Sequence, residues 1–72
     1  MNPQVLRIED RAGAGYFFTS NGVMFSDRGF HNAVQIGTRV YDAITGPAGM
    51  EFSQYIVTLE SYGIIPLVST PR

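Results

Sequence analysis

The chain has 72 residues, a net charge of −1, a single histidine and no cysteine. This length predicts one small domain over residues 1–72, which needs a tight core or a partner because so short a chain buries little surface. The absence of cysteine excludes disulfides and thiolate metal sites, and no metal-ligand spacing is present, so we expect no metal and no cofactor. The net charge of −1 argues against a nucleic-acid interface, and the five arginines are spread along the chain without forming a basic run.

The sequence also lacks export and membrane signals. No stretch approaches the ~20 apolar residues of a membrane helix. The polar start MNPQVLRIED differs from a signal peptide, which needs an apolar segment. We therefore expect a soluble chain that binds no membrane and is either cytoplasmic or delivered as part of a larger secreted protein.

The first third of the chain predicts short strands joined by turns. Alternating apolar and polar residues indicate a strand over Val5–Glu9, and the small residues of 10–15 predict a loop. The β-prone segments Tyr16–Thr19 and Val23–Phe25 flank an Asn-Gly pair at 21–22, which is a strong signal for a two-residue hairpin turn.

The register of this first hairpin follows from its turn. A two-residue loop would set Ser20 opposite Val23 and Phe18 opposite Phe25. The dense aromatic residues predict that the hairpin packs into a core rather than stacking on a ligand. A β-turn is predicted next, over Ser26–Gly29, with aspartate near its start and glycine at its end.

A second hairpin is predicted around the Gly37-Thr38 pair, between strands over Phe30–Ile36 and Arg39–Ile44. Because side chains alternate along a strand, a two-residue loop places His31 on the same face as Asp42. Their α-carbons are then roughly 7–8 Å apart, within reach of a side-chain hydrogen bond. A loop of odd length would put the two side chains on opposite faces.

The rest of the chain predicts a core face, a helix and a last strand. The face of the hairpin opposite His31 is the more apolar one, and we expect it to form the core; it carries Phe30, Val34, Ile36 and Tyr41. After a Gly/Pro loop over 45–49, apolar residues three or four apart predict an amphipathic helix over Met50–Tyr62, with Gly63 as its C-cap. A short strand over Ile64–Val68 follows, in which Pro66 suits a sheet edge, and the tail 69–72 is predicted to fray.

This order of elements predicts the α+β class. We expect an antiparallel sheet of hairpins, then one C-terminal amphipathic helix and a short final strand.

The paired His31 and Asp42 have a chemical use and a structural one. An aspartate that accepts a ring N–H fixes the imidazole tautomer and stabilises the imidazolium that forms when the other nitrogen takes a proton. The second nitrogen then faces a nucleophile. A histidine–aspartate pair on a hairpin is also a common structural hydrogen bond, so the spacing leaves both interpretations open.

The motifs around these residues resemble a known family. Gly29-Phe30-His31 begins one strand, and Val40-Tyr41-Asp42 ends the next. This arrangement resembles the C-terminal half of the papain-fold toxins of bacterial polymorphic toxin systems, in which a G-[FY]-H motif starts a strand, a V-[FY]-D motif ends the next, and a Pro/Gly loop leads to a helix with aromatic residues. The resemblance covers about 26–55. It implies a papain-like β half in which His31 is the catalytic base and Asp42 its orienting carboxylate.

The sequence departs from that family at three points. The family often has asparagine after the aspartate and histidine in the following loop, where this chain has Ala43 and Thr45. The family's cysteine nucleophile, at the start of a helix before the strands, is absent from this sequence. Serine could replace it chemically, but Ser20, Ser26 and Ser53 do not lie at the start of an early helix, and we expect none of them to act.

The resemblance therefore implies the His/Asp half of a papain-like domain, from a hydrolase lineage of thiol proteases and glutamine deamidases, inactive without a cysteine-bearing segment. Such a half would expose an apolar sheet face to a protein partner: the missing N-terminal half, an immunity protein or a second copy. Two alternatives stay open, namely a non-catalytic descendant that acts by binding and a small β-rich oligomeric module whose resemblance is accidental. The first interpretation predicts that His31 bonds Asp42 and is open on its other side beside a cleft.

Overall fold

A computed structural model of the chain describes residues 2–26 and 29–70. Within these ranges the chain forms seven strands and one helix. In chain order they are β1 (Gln4–Asp10), β2 (Phe17–Phe18), β3 (Met24–Ser26), β4 (Phe30–Ile36), β5 (Arg39–Tyr41), β6 (Met50–Glu51), α1 (Phe52–Ser61) and β7 (Pro66–Ser69). The predicted α+β class is confirmed. Among the described residues, the single helix is too short to cross a membrane.

Five strands make one antiparallel sheet in the order β6-β5-β4-β1-β7. The long strands β1 and β4 lie at its centre and pair over six positions, from Gln4 with Gln35 to Glu9 with Phe30. Pro66 begins β7 at the sheet edge, as predicted. The strands β2 and β3 form a separate two-stranded ribbon.

The sheet has two unlike faces. One face, called the covered face here, carries Leu6, Ile8, Ala33 and Val40, which are at most 3 % exposed. Helix α1 packs on it with Tyr55 and Leu59, and Phe17 and Ile64 complete the same core. The register puts the other apolar side chains on the opposite face, called the open face; they include Val5, Val34, Ile36 and Leu67, which are 37–49 % exposed.

The predicted core face of the second hairpin is therefore wrong. Val34 and Ile36 were expected inside, but they lie on the open face, while Ala33 and Val40 are buried. Both faces of the hairpin are apolar enough to be buried, and the helix decides between them. The small Ala33 belongs to the same buried cluster as Tyr55, the largest of the fully buried side chains.

The first hairpin has a longer loop than predicted. Thr19 N–H donates to the Val23 carbonyl at 2.8 Å, so three residues separate the two strand ends. Gly22 alone takes the left-handed conformation, with φ of +81°, and Asn21 does not. This is a turn closed by a left-handed glycine, and it adds a bulge. Phe18 consequently pairs with Met24 rather than Phe25.

The helix starts two residues later than predicted and ends one residue earlier, at Ser61. Met50 and Glu51 pair with Val40 and Arg39 as strand β6 before the helix begins at Phe52. At the other end, Gly63 has a φ of +86°. Ile64 N–H then donates to the Leu59 carbonyl at 3.2 Å, which closes the last turn as in a Schellman motif.

The last predictions have mixed outcomes. Strand β7 begins at Pro66 rather than Ile64, and Ser69, expected in a frayed tail, is part of it. Residues 27 and 28, the two central positions of the predicted β-turn over Ser26–Gly29, lie outside the described residues. So do residues 71 and 72 of the tail.

Candidate functional site

His31 lies on the central strand β4 at the border of the core. It is paired with Ile8 of β1 in the ladder, so its side chain projects onto the covered face. Its imidazole packs in a T-shaped arrangement with the ring of Phe25, with centroids 5.1 Å apart and planes at 88°. Only 12 % of the His31 side chain is exposed. Strand and ribbon together therefore fix the plane of the imidazole.

Asp42 ends strand β5 by turning its own backbone. Its Oδ1 accepts the N–H groups of Ile44 at 2.9 Å and Thr45 at 3.0 Å. Thr45 Oγ1 in return accepts the Asp42 N–H at 3.0 Å. These bonds satisfy backbone groups that would otherwise extend the ladder. The strand thus ends at Tyr41 rather than at Ile44, where the sequence had placed its end.

The predicted contact between His31 and Asp42 is present. Gly37 has a φ of +62° and opens a two-residue loop, which pairs Ile36 with Arg39 as predicted. Asp42 lies one residue beyond the ladder, and its Oδ2 is 2.7 Å from His31 Nε2. With the carboxylate ionised, Nε2 is the donor, and neutral His31 has its lone pair on Nδ1. Within the described part of the chain, Nδ1 makes no hydrogen bond.

A third residue, which was not predicted from the sequence as part of the site, joins this pair. The hydroxyl of Tyr55, on helix α1, donates to the same Asp42 Oδ2 at 2.6 Å. Tyr55 is fully buried. A signal was available, because a buried tyrosine usually needs an acceptor for its hydroxyl, and Tyr55 is on the apolar stripe of the predicted helix.

The carboxylate is ionised in spite of its burial. Burial alone would raise the pKa of Asp42, but the hydrogen bonds from His31 and Tyr55, the charge of the His31 imidazolium and the Ile44 N–H favour the ionised form. The pKa of Asp42 consequently lies below its ordinary value of 3.8. Burial and the bond to the Asp42 carboxylate raise the pKa of Tyr55 well above its ordinary 10.0.

Two grooves flank the turn at Asp42. One, of about 570 Å³, is lined by residues of both sheet faces: Val5, His31, Asn32, Ala33, Val34, Tyr41, Asp42 and Ala43. It lies where β5 has ended, so that β4 is paired with β1 on one side and has no described strand partner on the other. The other, of about 490 Å³, lies between the tip of the β2–β3 ribbon and the same turn, with Phe25, Ala43, Ile44 and Tyr62 among its lining residues.

No nucleophile is hydrogen-bonded to the His31 ring in the described residues. Ser26 donates its hydroxyl to the Phe30 carbonyl, and no hydrogen bond links His31 to Ser20, Ser26 or Ser53. The described residues also contain no group of three carboxylate or histidine side chains that could hold a metal ion. The site therefore offers a proton acceptor and its orienting carboxylate.

Comparison with family models, with curated protein sequences and with solved structures found no match to this chain.

Proposed function

We propose that this chain is the His/Asp half of a papain-like bacterial toxin domain, of thiol protease or glutamine deamidase type, and that it is inactive until a cysteine-bearing segment supplies the nucleophile. The observation that carries the proposal is the 2.7 Å bond from His31 Nε2 to Asp42 Oδ2. It leaves Nδ1, the other ring nitrogen, without a partner among the described residues. A general base needs this combination of a fixed ring and a free lone pair.

The proposed reaction uses the two ring nitrogens differently. The incoming thiol transfers its proton to His31 Nδ1, and the thiolate attacks the carbonyl carbon of an amide. The imidazolium formed in this step is stabilised by Asp42, which already accepts the Nε2–H. Collapse of the tetrahedral intermediate breaks the C–N bond, and the leaving amine or ammonia takes the proton from Nδ1. Water then hydrolyses the thioester.

The proposed approach of the cysteine-bearing segment differs from the docking on an exposed apolar face that the sequence suggested. The open face is apolar and exposed, as expected for a docking surface, but the ring of His31 projects from the opposite face. A nucleophile has to approach from the covered side or through the end of the groove beside Asp42. The proposal therefore places the cysteine-bearing segment at the Ala43 turn, which lines both grooves.

A complementation experiment tests the proposal. The DNA on both sides of this coding sequence is read for a segment that places a cysteine at the start of a helix, and that polypeptide is mixed with or joined to the chain. We expect neither part alone to release amine or ammonia from peptide amides or glutamine peptides, and the combination to do so. His31→Ala should reduce that turnover by about 100-fold or more, as loss of a general base does.

The matched control is Gln35→Ala, on the same face of the same strand, which should leave turnover unchanged. Turnover by the isolated chain that is lost in His31→Ala would contradict the view that the nucleophile is missing. The absence of an adjacent cysteine-bearing segment, or turnover insensitive to His31, would contradict the half-site proposal itself.

A second function, binding without catalysis, is favoured by one specific observation. Asp42 Oδ1 accepts two backbone N–H groups of its own turn, which is sufficient reason for an aspartate at this position. Under this alternative the exposed apolar open face is the functional surface, and His31→Ala affects stability alone. The complementation experiment separates the two functions.

A further inference from the structure

We infer that Tyr55 is a positioning residue for His31, acting through the shared carboxylate oxygen of Asp42. The inference deepens the proposed function, on which its catalytic meaning rests. The Tyr55 hydroxyl bonds neither a reacting atom nor the imidazole. It donates its hydrogen bond to Asp42 Oδ2. Helix α1 thereby controls the hydrogen bond that holds the proposed base.

The hydrogen-bond capacity of the carboxylate is fully used. Oδ2 accepts from His31 Nε2 at 2.7 Å and from the Tyr55 hydroxyl at 2.6 Å. Oδ1 accepts two backbone N–H groups, from Ile44 and Thr45. An ionised carboxylate has about four acceptor sites, so these four donors leave none for water. The Asp42 side chain is correspondingly only 4 % exposed.

Sharing one oxygen links the two donors chemically. A hydroxyl that donates to Oδ2 withdraws charge from it, and the oxygen becomes a weaker acceptor for the His31 Nε2–H. The same hydroxyl fixes where Oδ2 lies, and with it the direction in which the imidazole is held. Tyr55 therefore sets both the strength and the direction of the His31–Asp42 bond.

Core packing explains the ring of Tyr55 but not its hydroxyl. The side chain is fully buried among apolar neighbours, where phenylalanine would fill nearly the same volume. A buried hydroxyl is costly unless it is bonded, and this one is aimed at the one carboxylate that holds the histidine. The hydroxyl thus adds a polar contact where a purely structural core needs none.

Tyr55→Phe is the direct test, and Tyr62→Phe is its matched control. Tyr62 lies just past the end of the same helix and packs its ring against Phe25, 6.1 Å between centroids, without a hydroxyl bond to a described residue. The readout is the ¹H and ¹⁵N resonance of the His31 Nε2–H by NMR, with the backbone amide spectrum as a check on the fold. We expect the Nε2 proton of Tyr55→Phe to move downfield, because Oδ2 becomes a stronger acceptor. Tyr62→Phe should leave this resonance in place.

A second arm keeps the inference testable if Tyr55→Phe does not fold. In a chain whose other tyrosines, Tyr16, Tyr41 and Tyr62, are replaced by phenylalanine, Tyr55 is labelled as 3-fluorotyrosine. The fluorinated hydroxyl is a better donor in a side chain of similar shape. The Nε2 proton of His31 should then move upfield relative to the unlabelled chain.

Displacements in these opposite directions support the positioning role. The inference would be overturned if neither Tyr55→Phe nor fluorination of Tyr55 moved the Nε2 proton resonance further than Tyr62→Phe does. Because the measurement needs neither a cysteine nor turnover, its outcome is independent of the complementation experiment. The positioning role can thus fail while the half-site proposal stands, and the half-site proposal can fail while the positioning role stands.

Discussion

The two faces of the five-stranded sheet are built from the same strands and differ in what packs on them. Val40 is fully buried on the covered face. The next residue of the same strand, Tyr41, lies on the open face opposite Val34, which is 37 % exposed. Both faces are rich in apolar side chains. Helix α1 covers only the face that also carries His31. Apolarity therefore did not select the core of this protein; the placement of the helix did.

This difference also explains the candidate site. The polar cluster of His31, Asp42 and Tyr55 lies at the border of the covered face, where helix and turn bring donors to one carboxylate. The open face has charged groups as well, but they are exposed, as in the pair of Arg7 and Glu9 at 3.5 Å. Exposed pairs of this kind contribute little to stability, whereas a buried carboxylate is costly unless its hydrogen bonds, here from four donors, are made.

The largest expected effect comes from matched isoleucines on the two faces. Ile8→Ala, at a fully buried position on the covered face, should lower the free energy of unfolding by about 2–5 kcal/mol. Ile36→Ala, at a position 40 % exposed on the open face, should lower it by only about 0.5 kcal/mol. Urea or thermal unfolding measures both. Equal losses would contradict the division into a covered and an open face.

A smaller effect is expected from the two aspartates that cap turns. Asp42→Asn should cost about 1–3 kcal/mol, because the new amide opposes the buried donors of His31 and Tyr55. Asp10 also accepts two backbone N–H groups, of Ala12 and Ile65, but in an exposed setting. Asp10→Asn keeps an acceptor oxygen there and should cost about 0.5 kcal/mol or less. A larger loss of unfolding free energy for Asp10→Asn than for Asp42→Asn would contradict this expectation.

The smallest and most specific effect is the pH dependence of stability. The lowered pKa of Asp42 means that the unfolded chain binds the proton more readily, so this contribution is complete above the ordinary pKa of 3.8 and is lost as the pH falls through the native pKa. The raised pKa of Tyr55 makes the unfolded chain lose its proton first, so stability falls as the pH rises above 10.0.

Unfolding midpoints measured across pH check both limbs. Asp42→Asn should flatten the acid limb and Tyr55→Phe the alkaline one, each relative to the unchanged chain. An acid limb that persists in Asp42→Asn would show that other carboxylates control it.

Much of this fold could be predicted from local patterns. The Gly37-Thr38 turn gives the second hairpin a loop with an even number of residues. That even number alone was enough to predict that His31 and Asp42 share one face. The glycine at 63 and the spacing of apolar residues likewise located the helix end to within one residue. These features depend on neighbouring residues, and a single sequence contains them.

The remaining features depend on contacts between distant segments. The side of the sheet that the helix covers is decided by tertiary packing, so a hairpin with two apolar faces gave no local signal for it. The end of β5 depends on how Asp42 captures its own turn, and the start of α1 depends on Met50 pairing with Val40. Tyr55 was predicted only as a helix residue of the apolar stripe, because its hydroxyl acquires a role once the helix is seated over Asp42.

The tautomer of neutral His31 shows whether Asp42 orients the imidazole. With Asp42 accepting from Nε2, we expect the ¹⁵N resonances of neutral His31 to show a protonated Nε2 and an unprotonated Nδ1. That state leaves Nδ1 able to take a proton from an incoming thiol. Neutral His31 protonated mainly at Nδ1 would contradict the proposed roles of both residues, because Asp42 would then not be orienting the ring and no base would be available at Nδ1.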